Sequence, residues 1–183
     1  MKKWLRDNRV FLLFIFALLV ARSSFADHYV VPSGSMEQTL FPGDRVVVNK
    51  QAYGLRIPFT LVKVTHGDAP ARGDVIIFDA PDSGTRLIKR IVAVGGDRLE
   101  VRRGHVFVND LPGDIGTALE LSRGGGPDVA PVDVPQGRVF VMGDFRGNSR
   151  DSRFFGFVSE DQIYARALRV YYRSGEGFIL KAL

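Results

Sequence analysis

From residue 27 onward the hydrophobic positions fall in short runs rich in valine, isoleucine and phenylalanine, broken by glycine and proline. These runs predict strands over 28–32, 44–50, 73–79, 85–94, 97–102, 105–109, 137–142 and 164–172. Turn signals such as Arg103-Gly104 and Asn109-Asp110 separate them. Ser159, followed by Glu160, Asp161 and Gln162, predicts a cap on one short helical turn. The pattern is that of a mainly β domain, an antiparallel β-sandwich or partly open barrel. Residues 111–136 are rich in Gly and Pro and lack periodicity, which predicts an exposed loop or small excursion between core strands.

The N-terminus follows a different pattern. Lys2, Lys3, Arg6 and Arg9 precede an unbroken apolar run from Val10 to Ala21. Twelve helical residues span only about 18 Å, against roughly 30 Å of hydrocarbon core. Flanking apolar residues lengthen the segment, so a transmembrane anchor is expected over 10–26. The alternative is a cleaved signal sequence, because Ser24-Phe25-Ala26 is a small-x-small cleavage site. Arg22, lying between the apolar run and that site, favours the uncleaved anchor. Either way the four basic residues predict a cytoplasmic 1–9 and an extracytoplasmic 27–183, a single pass with N-in/C-out topology. No later run is long enough to span a membrane.

Composition narrows the chemistry. The chain has no cysteine, which excludes disulfides, thiol catalysis and zinc–thiolate sites, and its three scattered histidines argue against a metal centre. A net charge of +5 is modest and spread along the chain beyond the N-terminus, so no nucleic-acid partner is expected.

Three stretches remain as carriers of chemistry. In Pro32-Ser33-Gly34-Ser35-Met36 a glycine lets a serine be presented on a sharp bend. In 85–97, Lys89 shares a strand face with Leu87 and Ile91, while Ile88 and Arg90 face the other way. An amine on an apolar face is desolvated, its pKa falls, and it becomes a possible neutral base. The third stretch, 141–158, packs Asp144, Arg146, Asn148, Ser149, Arg150, Asp151, Ser152 and Arg153 between apolar blocks. Each has a plain reading as well: a turn, a snorkelling lysine, a solvated loop. His28, His66 and His105 stand outside all three, so a Ser–Lys pair is the best remaining nucleophile and base.

Taken in order, "PSGSM", "GDRVVV", "RGDVIIF", "LIKRIVAVGGD", "VFVN" and "VFVMGDFRGNSRDSRFFGFV" make the chain resemble the bacterial type I signal peptidases, membrane-anchored Ser–Lys proteases. The resemblance implies a signal-peptidase-like β fold and an enzyme without cofactor or metal. Its substrates would be the signal peptides of exported preproteins, cut after small-x-small sites at the plasma (inner) membrane, where lipid is a partner. It further implies Ser35 as nucleophile, Lys89 as general base, and Ser33 with the Ser35 backbone N–H as the oxyanion hole. Ser149 would orient the lysine amine, with Asp151 and Arg153 beside it and Asp144 and Arg146 as outer support. An extended substrate would add as a strand between 29–33 and 86–89, with Val31, Met36, Leu40, Leu87 and Ile88 lining shallow pockets. Gln38, Phe145, Gly147 and Arg150 depart from the family's usual residues, which leaves the salt-bridge pattern around Asp151 open. Two rivals stay in view: a specialised Ser–Lys peptidase of pilin maturation or conjugative transfer, and an inactive anchored binding module. The absence of an S-x-x-K motif excludes a penicillin-binding reading.

Overall fold

The computed structural model describes residues 4, 8–15, 26–54, 65, 67–114 and 119–183. Within these, residues 9–15 are helical. No helix among the described residues is long and apolar enough to cross a membrane. The anchor expected over 10–26 and the cleavage-like site before Asp27 fall mostly outside the described residues, as does His66.

Among the described residues twelve strands follow: β1 (Ala26–Val30), β2 (Arg45–Asn49), β3 (Val75–Asp79), β4 (Arg86–Val94), β5 (Arg98–Arg102), β6 (His105–Val108), β7 (Leu111–Pro112), β8 (Val129–Asp133), β9 (Arg138–Met142), β10 (Val158–Ser159), β11 (Ile163–Arg173) and β12 (Gly177–Ala182). All pairings between them are antiparallel. One sheet runs β1-β2-β11-β3-β4-β9-β10, with β12 also on β11, and the other runs β7-β6-β5-β8. The eight strands expected from the sequence are all present, with ends shifted by one or two residues. The Ser159 cap is also present, as a reciprocal capping box with Gln162.

The expected loop at 111–136 is corrected in part. β7 and β8 lie within it and pair with β6 and β5, so the excursion is built into the second sheet. Pro131 hid β8 from the pattern. It is tolerated because β8 is an edge strand and its register with β5 shifts between Leu99 and Val101.

β3 shows why the large sheet is apolar on both faces. Val75 and Ile77 pack with Val31, Met36, Leu40 and Ile88, whereas Ile76 and Phe78 pack with Ile91, Val141 and Ile163 on the other side. A third cluster joins the sheets through Leu99, Val101, Val106, Phe140 and Met142. β11 carries three register shifts along its pairings with β3 and β2. Such bulges bend a strand and increase its twist. The sheet curls enough that β1 and β4, with three strands between them in the path, come to face each other across a gap.

The segment between β1 and β2 is fixed by Asp44. Its carboxylate accepts from Phe41 N (3.0 Å) and from Arg173 Nε (2.9 Å) and Nη2 (2.8 Å) at the end of β11. Arg173 also lies over the Phe41 ring at 4.5 Å. Asp44 is fully buried. Removing one partner of a buried pair leaves the other charge uncompensated. Asp44→Ala is expected to lower stability by about 3–5 kcal/mol, measured by urea unfolding followed by circular dichroism.

Candidate active site

Ser35 sits in a single 3-10 turn, Gly34–Met36, immediately after the segment that continues β1. The turn is pinned from below, because Met36 is fully buried in the cluster that holds Val31, Leu40 and Ile88. Lys89 stands in β4 with the alternation its sequence predicts. Leu87 and Ile91, on its face of the strand, belong with the second cluster, and Ile88 lies in the first cluster on the other face. Lys89 Nζ donates to Ser35 Oγ across the gap between the strands. The lysine is 3% exposed. Burial pulls its pKa down from 10.5 to about 8, opposed by the carboxylates of Asp151 and Asp144 and aided by Arg153. Ser33 Oγ lies 3.4 Å from Ser35 Oγ on the partly exposed side of the turn.

A second layer comes from the segment after β9. Asp151 is fully buried and caps the four-residue helix Ser152–Phe155. Its carboxylate accepts from Ser149 Oγ (2.7 Å), Gly143 N (3.1 Å), and Arg153 Nε and Nη2 (both 2.8 Å). The resemblance implies that Ser149 bonds the lysine. Here its proton goes to Asp151, and no hydrogen bond joins Ser149 to Lys89 among the described residues. Gly143 keeps this layer close: a Cβ there would collide with Ser149 Oγ and with the Ser35 carbonyl oxygen. Phe145 N donates to that same carbonyl at 3.1 Å, so position 145 contributes a backbone group whatever its side chain.

Asp144 and Arg146 are both buried, but they do not pair with each other. Asp144 accepts from Thr39 Oγ1 (2.6 Å) and from Arg90 Nε (3.0 Å) and Nη2 (2.8 Å). Arg146 Nη2 donates to Asp114 at 2.9 Å, and its other nitrogens bond the Gly143 and Gly104 carbonyls. Thr39, Arg90 and Asp114 are therefore partners that the motif reading did not supply. Arg90 carried a signal, since it is a charge on an apolar strand facing away from Lys89. Asp114 carried none, because it lies in the Gly/Pro-rich stretch.

The departures have local consequences. Gln38 has a φ of 75°, which a proline ring forbids, so a proline here would impose a different backbone. Its amide donates to Glu120 Oε2 at 2.9 Å. Gly147 packs under the backbone of Arg123 and Gly124, where any Cβ would collide. Gly104 and Gly125 approach each other equally closely, and Arg153 Nη1 donates to the Gly125 carbonyl. Residues 119–126 are thus held against the Ser149–Arg153 layer.

Of the five apolar residues expected to line pockets, Val31, Met36, Leu40 and Ile88 come together, none more than 2% exposed. Leu87 is half-buried on the opposite face of β4 with the second cluster. His28 and His105 are exposed and lie beside Asp27 and Asp114, away from Ser35. No metal-binding group of His, Cys, Asp or Glu occurs among the described residues.

Comparison with known proteins gives the context. The family model described as signal peptidase, peptidase S26, matches residues 1–172. A signal peptidase I of Haemophilus influenzae is 32% identical over 84% of this chain, which spans 65% of that protein. A probable signal peptidase I-1 of Synechocystis is 35% identical over 91% of this chain and 82% of its own length. The crystal structure of a signal peptidase I from Enterococcus faecalis matches with 26% identity and a TM-score of 0.40, covering 61% of this chain and 97% of that one. With a family match over nearly its whole length, this chain belongs to the signal peptidase, peptidase S26, family.

Proposed function

We propose that this chain is a signal peptidase I, a serine endopeptidase that removes signal peptides from exported preproteins. The observation that carries the reading is the buried Lys89 amine in hydrogen-bond contact with the Ser35 hydroxyl. In the neutral form the amine accepts the Ser35 proton as Oγ attacks the scissile carbonyl. The resulting oxyanion is met by the Ser35 backbone N–H and the Ser33 hydroxyl. Collapse breaks the C–N bond, the lysine ammonium returns the proton to the leaving amine, and an ester on Ser35 remains. Lys89 then takes a proton from water, the hydroxide attacks the ester, and the ammonium reprotonates Ser35. Asp151, fixed by Arg153, Ser149 and Gly143 N, holds negative charge near the amine and stabilises its protonated form within each half-reaction. Asp144 with Arg90, and Arg146 with Asp114, support the backbone of this layer.

Substrate enters as an added strand. β1 ends the sheet path, and β4 pairs with β9 only from Arg90 onward, so 86–89 keep an unpaired edge among the described residues. A peptide strand between 29–33 and 86–89 places alternate side chains on opposite faces. The first and third residues before the cut then meet the closed wall of Val31, Met36, Leu40 and Ile88, and the second meets Leu87. Such a wall has room for a methyl group and none for a ring. In this reading 1–9 lies in the cytoplasm and 10–26 anchors the chain as a single pass in the plasma (inner) membrane. The domain 27–183 then works on the extracytoplasmic face, beside lipid. The basic residues preceding the apolar run support that orientation.

Ser35→Ala and Lys89→Ala are each expected to reduce preprotein cleavage by about 10⁴-fold or more, as for removal of one member of a catalytic unit. Gel analysis of preprotein incubated with detergent-solubilised protein checks this, with circular dichroism verifying the fold. Substantial turnover by folded Lys89→Ala would remove the dyad.

Activity is expected to rise with pH through about 8, because the amine must lose its proton to act as base. Asp151→Asn removes a charge that raises the Lys89 pKa, so its acid limb should move to lower pH. The kcat/KM–pH profiles of the two proteins decide the point.

Replacing Ala by Phe at the residue before the cut is expected to lower kcat/KM by about 10- to 100-fold or more, the overpacking cost of a closed wall. The same change at the second residue should cost less. Competition between matched peptides measures both.

A further inference from the structure

Arg150, which departs from the family's usual small residue, reaches out of the Ser149–Arg153 layer to Asp82, with Nη2 donating to Oδ2. Asp82 lies in the turn between β3 and β4, at the far end of the unpaired β4 edge. After the chain leaves β4 at the Arg90–Met142 pair, this ion pair ties it to the turn of the β3–β4 hairpin, while Phe155 packs on Phe78 of β3. The edge over 86–89 is therefore bracketed, with Gly143 and Ser35 at one end and Arg150–Asp82 at the other. From Lys89 back to Thr85 the strand covers about 13 Å at roughly 3.3 Å per residue. A substrate cut at Ser35 places its fourth to sixth residues before the cut against this pair.

The charge presented there is not balanced. The Arg150 side chain is 66% exposed and the Asp82 side chain 30%. A second pair of the same hairpin, Arg86–Asp79, has the same bias at 42% and 25%, with Arg86 over the Tyr164 ring at 4.2 Å. Burial raises the pKa of the Tyr29 phenol of β1, and Arg86 and Asp79 also act on it, so this second pair lies near β1. In both pairs the guanidinium is the more exposed partner. Arg150 uses one nitrogen on Asp82, and its planar fork has further N–H groups to offer.

We propose that the Arg150–Asp82 pair is a specificity device of the proposed peptidase: it reads charge about four to six residues before the cut, favouring acidic and disfavouring basic side chains. The inference rests on the peptidase reading above. Because the pair is exposed, it contributes little to stability, and its variants are expected to fold.

The test uses the full chain in detergent and peptides identical except for Glu or Lys at the fourth, fifth or sixth residue before the cut. The quantity read is the ratio of kcat/KM for Glu over Lys within each variant, so a general loss of activity cancels. Wild type is expected to prefer Glu by about fivefold at low salt, the effect of one exposed charge pair. The preference should fade at about 1 M salt. Arg150→Ala should bring the ratio close to one, Arg150→Glu should invert it, and Asp82→Asn should raise it. The same ratio in wild type and Arg150→Glu overturns the proposal while leaving the peptidase reading intact. A wild-type chain that cleaves no preprotein overturns both.

Discussion

A lysine amine taken out of water and set against a serine hydroxyl is the constraint around which this molecule is organised. Burial makes the amine a base at accessible pH, and it also makes every nearby polar group costly unless that group is satisfied. The layer after β9 meets the second demand. The Asp151 carboxylate is saturated by Arg153, Ser149 and Gly143 N, and Arg153 in turn bonds the Arg146 and Gly125 carbonyls. Among the described residues Asp144, Asp151, Arg146 and Arg153 each have hydrogen-bonded partners, whereas burial works against the charge of Lys89.

This arrangement needs strands that are distant in the path to face each other, which the sheet achieves by bending. The bulges of β11 and the double-sided packing of β3 bring the Ser35 turn over β4 without direct pairing of β1 and β4. The second sheet closes the other side. Its β5–β6 turn at Gly104 receives the Arg146 guanidinium and packs against Gly125. Two close backbone approaches, at Gly143 and at Gly147, let the layers meet at a separation no side chain would allow.

Much of this was legible in the chain, for identifiable reasons. Strands with valine and isoleucine runs declared themselves, as did the capping serine at 159. The face on which Lys89 lies followed from simple alternation. β8 and β12 did not declare themselves: the first contains Pro131, and the second is an apolar run on an exposed edge whose Phe178 and Leu180 stay largely in solvent. At the site, sequence order grouped Asp144, Arg146, Asp151 and Arg153 as one polar block. Their division into three separate pairs depends on Arg90, Asp114 and the turn at Gly143, contacts of long sequence separation that no local pattern encodes. The hydroxyl of Ser149 shows the same limit, since its position was readable and the direction of its proton was not.

The distribution of these contacts along the chain also sets an order in time. The Ser35 turn is among the first parts of the domain to be synthesised, yet Arg173 closes the bend at Asp44, and Lys181 Nζ bonds the carbonyls of Gln38 and Thr39 at 3.2 Å each. Loop closures this long are slow and come late in folding. A growing chain that has delivered Ser35 and Lys89 but not β11 and β12 holds the hydroxyl and the amine without the fixed distance between them. The bend that presents Ser35 is therefore completed by β11 and β12, which are made well after it.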